Sequence, residues 1–182
     1  MPIEDEDNSD LLADANEFLK DDIAALEELI TKAKTEKTDR VLLELAIKAK
    51  NLAELYFEGL EGVSEPYLKY KKIAAENYLI VSKKTNFAQA KLMAILMYIQ
   101  AQDHKKAKNL IEEIVKEREK GSSKKKKTDD IDGVVLEICI DILHDNAKKA
   151  LERVNKGLYE IDADVKEDII KTLKRSLESD MG

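Results

Sequence analysis

Apolar residues return every three or four positions from Leu11 onward: Leu11, Leu12, Ala15, Phe18, Leu19, Ile23, Leu26 and Ile30. That spacing lays one apolar stripe along a helix of 3.6 residues per turn. Asn8-Ser9-Asp10 precedes it and offers an N-cap. Thr35-Glu36-Lys37-Thr38-Asp39 breaks the stripe. A second stripe runs through Val41, Leu42, Leu45, Ala46, Ala49, Leu52, Ala53, Tyr56 and Phe57, and Gly59 and Gly62 follow as stop signals. Ser64-Glu65-Pro66 then starts a third helix, with proline in the first turn where its missing N–H costs nothing. That helix uses Leu68, Ile73, Ala74, Asn77, Tyr78 and Val81. Thr85-Asn86 separates it from a fourth, with Phe87, Ala90, Ala94, Ile95, Met97, Tyr98 and Ala101. Only Gln102-Asp103-His104 divides that from a fifth, with Ala107, Leu110, Ile111, Ile114 and Val115.

The pattern stops at 121–128, a Gly-Ser-Lys run with no apolar residue, which reads as a mobile loop. It resumes in a sixth helix through Val134, Val135, Ile138, Ile140, Ile142 and Leu143, and a seventh through Ala147, Ala150, Leu151 and Val154. A last helix after Asp162 carries Val165, Ile169, Ile170, Leu173 and Leu177. No segment alternates with period two long enough to be a strand. The expected fold is all-α, with about eight helices. Residues 1–8, acidic and without an apolar pattern, read as a disordered tail; 9–120 form the main helical part, and 129–182 complete the same domain.

Helices joined by such short turns lie antiparallel as neighbours. Ala74, Tyr78 and Val81 share their internal spacing with Ala107, Ile111 and Ile114, 33 residues later. Stacked helix pairs of about 34 residues are the tetratricopeptide arrangement. A small alanine at the first position lets the paired helix approach. The glycine and proline usual to that repeat are missing, and the first two helices do not fit the period. The expected arrangement is a tetratricopeptide-like α-solenoid of stacked antiparallel pairs, with a closed helical bundle as the alternative.

The C-terminal third adds a family likeness. Residues 134–143, then Asn146-Ala147-Lys148-Lys149-Ala150-Leu151, then Tyr159-Glu160-Ile161-Asp162 and 169–180 resemble the tail of the soluble NSF attachment proteins. In that family two packed helices precede a phrase built on "YDSIS.LD", a basic amphipathic helix and a short acidic end carrying a leucine. The Ala-rich pairs at 67–117 are similar to its tetratricopeptide-like helices. This chain is shorter, and the family's apolar membrane-touching loop has no evident counterpart here. The resemblance implies a vesicle-trafficking adaptor that coats a SNARE-type coiled-coil bundle and recruits an AAA+ ATPase. By position, Lys171, Lys174 and Arg175 fall on the last helix, and Leu177 with Glu178 and Asp180 forms the ATPase-facing end. The same residues also fit a plainer role, with Leu177 a last core contact and the cations favoured near a helix C-terminus.

Charge narrows the partners. The chain carries 38 acids against 31 bases, a formal net charge of −7, which argues against a nucleic-acid binder. The acids crowd the first segment, and the clearest basic run is Lys124 to Lys127, read as a solvated loop although it could touch anionic lipid. One cysteine, Cys139, excludes an intrachain disulfide and suits a reducing, cytoplasmic setting. No apolar run approaches a membrane span, which leaves only peripheral membrane contact open.

No enzyme site, cofactor or metal centre is expected. Asp141 and His144 stand three apart, as in one half of a di-iron helix motif, but the pair occurs once. His104 lies in a turn, and Cys139 sits in an apolar run where a thiol usually acts as a small hydrophobe. Glu27-Glu28 and Glu112-Glu113 are adjacent and so face different directions. The glycines form no phosphate-binding loop. Tyr67 and Tyr70 are candidate contact residues, with core packing as the alternative. Function is therefore expected to be protein–protein contact as an adaptor. The alternative is a self-associating structural or regulatory bundle whose acidic tail screens a basic partner. The sequence leaves the oligomeric state open.

Overall fold

The computed structural model describes residues 3–85 and 88–121, with Glu137, Ile140, Asp141, Lys149, Glu152, residues 167–172 and residues 174–175 beyond them; of residues 3–8, 85, 88–89, 115 and 117–121 it describes the backbone. Among the described residues the elements are all helices: α1 (Ile3–Phe18), α2 (Lys20–Thr35), α3 (Asp39–Gly59), α4 (Glu65–Thr85), α5 (Ala88–Gln100) and α6 (His104–Gly121). The fold is all-α. The chain divides into two compact units, Met1–Thr85 and Asn86–Gly182. The division falls at the Thr85-Asn86 break in the apolar pattern. Residues 122–128 of the expected loop lie outside the described residues.

The first unit is built on the α3–α4 hairpin. Thr38 caps α3, its Oγ1 accepting from the Val41 N–H at 3.3 Å. The stripe from Val41 to Tyr56 is buried as its spacing requires. The chain then reverses through Glu61, which takes the left-handed conformation (φ 53°), and Gly62 (φ 149°), whose N–H donates to the Phe57 carbonyl at 2.9 Å. The first positive-φ position thus belongs to a glutamate, and Gly62, one of the two glycines marked as stops, takes the second, while Gly59 is the last residue of the helix. Ser64 Oγ accepts from the Tyr67 N–H at 3.4 Å to start α4. Contacts fix the antiparallel register. Phe57 meets Tyr67 with ring centroids 5.3 Å apart, Tyr56 stacks on Tyr70 at 5.8 Å, and Glu54 pairs with Lys71. At the open end Lys84 Nζ donates to the Lys37 carbonyl at 2.6 Å.

Where the sequence shows one continuous stripe from Leu11 to Ile30, the structure has two helices. Leu19 stands between them at φ −94° and ψ 10°, with the i→i−4 bonds Leu19 N–H to Ala15 O and Ile23 N–H to Leu19 O retained at 2.9 Å. No glycine or proline marks the spot, so periodicity reads straight through it. Leu19 is buried while Phe18 beside it is exposed. α2 buries Leu26, Leu29 and Ala33 and packs on α3. The backbone is helical from Ile3, ahead of the cap expected at Asn8-Ser9-Asp10 and through a stretch expected to be a disordered tail.

In the second unit α5 is buried on every side from Leu92 to Gln100, as a helix apolar all round must be. It pairs with α6, which buries Ala107, Leu110 and Ile111. The turn between them is a Schellman motif. The Asp103 N–H donates to the Tyr98 carbonyl at 2.9 Å, the Gln102 N–H to the Ile99 carbonyl at 3.0 Å, and Gln102 is left-handed (φ 62°). Asp103 Oδ1 then accepts from the Lys106 N–H at 3.3 Å and caps α6. Gln100 at the end of α5 donates through Nε2 to Thr172 Oγ1 at 2.8 Å, which ties the helical residues 167–172 to this hairpin.

Candidate functional site

Of the two readings held for the tyrosines, the structure places both residues in the core. Tyr67 is 1% exposed and Tyr70 8%, so neither is the surface contact residue proposed for it. The period of α4 brings Tyr67, Tyr70 and Lys71 to the face that meets α3, a choice the chain makes by hairpin packing. Burial pushes the phenols of Tyr56 and Tyr70 above their ordinary value, with a further push from each one's neighbours, Tyr70 on Tyr56 and Glu27 on Tyr70. Tyr56 donates its hydroxyl proton to Asn16 Oδ1 at 2.5 Å, which fastens α1 to α3. Lys71 is fully buried, 2.6 Å from Glu54 Oε1 and 5.5 Å from the centre of the Tyr67 ring. These residues hold the hairpin.

The last-helix cations are partly described. Lys171, Lys174 and Arg175 sit at helical spacings of three and four, which puts them on one face. Lys174 is exposed and Arg175 half-buried, while Lys171 pairs with Glu167 at 3.5 Å within the helix. Asp168, Ile169 and Thr172 occupy the buried side. Leu177, Glu178 and Asp180 lie outside the described residues, as do Cys139, His144 and Lys124 to Lys127. His104 is exposed at the first turn of α6, and Asp141 is half-buried. Among the described residues no group of three His, Cys, Asp or Glu side chains could hold a metal ion, and no helix is long and apolar enough to cross a membrane.

A concave surface missing from the sequence reading lies in the first unit. A cavity of about 440 Å³ opens where α1 runs beside the end of α3. Leu11, Ala15, Phe18 and Leu19 line one side, and Leu55 and Gly59 the other. Phe18 is 84% exposed, Leu11 51% and Leu55 40%, so three large apolar side chains meet solvent around one opening. Asp14 and Glu58 stand at its rim. Gly59 has open space where a side chain would project. Leu55 falls off the buried stripe of α3, and Phe18 sits on a stripe that seemed committed to a core. The sequence therefore held a weak signal for Leu55 and a misleading one for Phe18.

Comparison with protein-family models, with curated proteins and with solved structures finds no match.

Proposed function

We propose that the chain is an adaptor acting by protein–protein contact in the cytoplasm, built on tetratricopeptide-like helix pairs and without a catalytic role. In its specific form it resembles the soluble NSF attachment proteins and links a coiled-coil or SNARE-type bundle to an AAA+ ATPase. One observation supports the helix-pair part most directly. Ala74 and Ala107, the small residues at the first position of the two matched sets, are both fully buried, in α4 and α6 of hairpins joined by short turns. The specific form is supported by Lys174, which is exposed on the last helix at helical spacing from the half-buried Lys171 and Arg175.

Size-exclusion chromatography of the full chain with a preassembled four-helix SNARE-type bundle and a hexameric AAA+ ATPase tests this reading. The expected result is a ternary complex. Leu177→Ala is expected to lose the ATPase and keep the bundle. Elution of the chain away from both would overturn the specific form.

A further inference from the structure

From the cavity between α1 and α3 we infer a docking groove for a basic amphipathic helix of a partner protein. The inference rests on the adaptor reading only in taking the chain to work by protein contact. Three features converge on this occupant. The floor is apolar, and Phe18, Leu11 and Leu55 leave large apolar surface in water. Exposed aromatic surface at a concavity is the usual anchor of a helix-in-groove interface. The volume, about 440 Å³, is within the range of small binding pockets and suits a few large apolar side chains of a helix.

Charge then selects among apolar helices. α1 carries seven acids, Glu4, Asp5, Glu6, Asp7, Asp10, Asp14 and Glu17, and no base. The whole chain has 38 acids and 31 bases, so the residues outside α1 balance at 31 of each. The net charge of the molecule therefore resides on the helix that forms one wall. Asp10, Asp14 and Glu17 are exposed on it, and Asp14 and Glu58 line the opening from α1 and α3. A helix with leucines on one face and lysines or arginines flanking them matches both the floor and the rim, and the field of α1 speeds its approach.

The test uses the full chain and a labelled 14-residue peptide with leucines at i, i+3, i+4 and i+7 and lysines elsewhere. A scrambled peptide of the same composition serves as control, and fluorescence anisotropy is the readout. The patterned peptide is expected to bind at least tenfold more tightly than the scrambled one, and less tightly at 500 mM than at 50 mM NaCl. Gly59→Leu, at a position where an added Cβ has no neighbour within 4 Å, extends into the opening and is expected to weaken binding at least tenfold, with the melting temperature kept or raised. Phe18→Ala, at an exposed position, is expected to act in the same direction. Equal binding of the two peptides, or binding indifferent to both substitutions, overturns the groove. Sedimentation equilibrium showing a dimer that Gly59→Leu dissociates also overturns it, because the occupant is then a second copy. None of these results depends on the bundle or the ATPase, so this inference and the adaptor's specific form fail separately.

Discussion

Lys71 shows how a single charged residue is accommodated in a helical hairpin. Its side chain is fully buried beneath the Tyr67 ring, with the Glu54 carboxylate 2.6 Å from its ammonium. Breaking a buried ion pair by removing one partner costs about 3–5 kcal/mol, whereas replacing the charged group by an apolar one of similar volume is often neutral. Glu54→Ala is accordingly expected to lower the urea midpoint strongly, and Glu54→Ala combined with Lys71→Met to recover much of the loss. The buried phenols behave differently. Burial raises Tyr56 and Tyr70 above 10 in the folded chain, so folding favours their protonated forms. That contribution is complete below about pH 10 and is lost as pH rises through the folded values. Urea midpoints between pH 8 and 12 are expected to fall above pH 10, and to fall less steeply in Tyr70→Phe.

At the scale of the element, the helix ends carry the next test. Glu61 and Gln102 are the two non-glycine residues with positive φ among the described residues, and each stands at a helix C-terminus where the left-handed conformation is required. An ordinary residue pays about 1–2 kcal/mol for that conformation. Gln102→Gly is expected to raise the melting temperature, with a gain of about 1 kcal/mol after the added backbone entropy of glycine. Ala74 shows the opposite limit. It has no exposed surface on the face of α4 that packs, so Ala74→Leu is expected to cost about 1–3 kcal/mol by overpacking. The buried face of helix α3 was legible because its stripe is local, whereas its Thr38 cap and the left-handed Glu61 in its terminating turn came from the structure. The same stripe was misleading for α1 and α2, since a backbone departure at Leu19 leaves no mark when the residues on either side are good helix formers. Tyr67 and Tyr70 could not be assigned from α4 alone, because apolar residues lie on more than one of its faces and the partner helix decides which is buried.

At the scale of the whole molecule, charge is the property the sequence states most directly. Replacing the seven acids of α1 by their amides leaves 31 acids and 31 bases. Isoelectric focusing is then expected to show a shift from about 5.1 toward neutrality. Solubility near pH 7 is expected to fall with the lost self-repulsion. The sequence by itself determined the helical class, the breaks before α3, α4, α5 and α6, and the charge asymmetry, since each follows from residues within a turn or two of one another. Tertiary structure alone decided that the candidate tyrosines are core, that the first stripe divides at Leu19, and that Leu11, Phe18, Leu55 and Gly59 meet around one opening. The physical reason is the same in each case. Periodicity specifies that a helix has an apolar face, but burial is a relation between two faces. Leu11 and Leu55 lie more than forty residues apart, and only the tertiary structure brings them to the two sides of one opening.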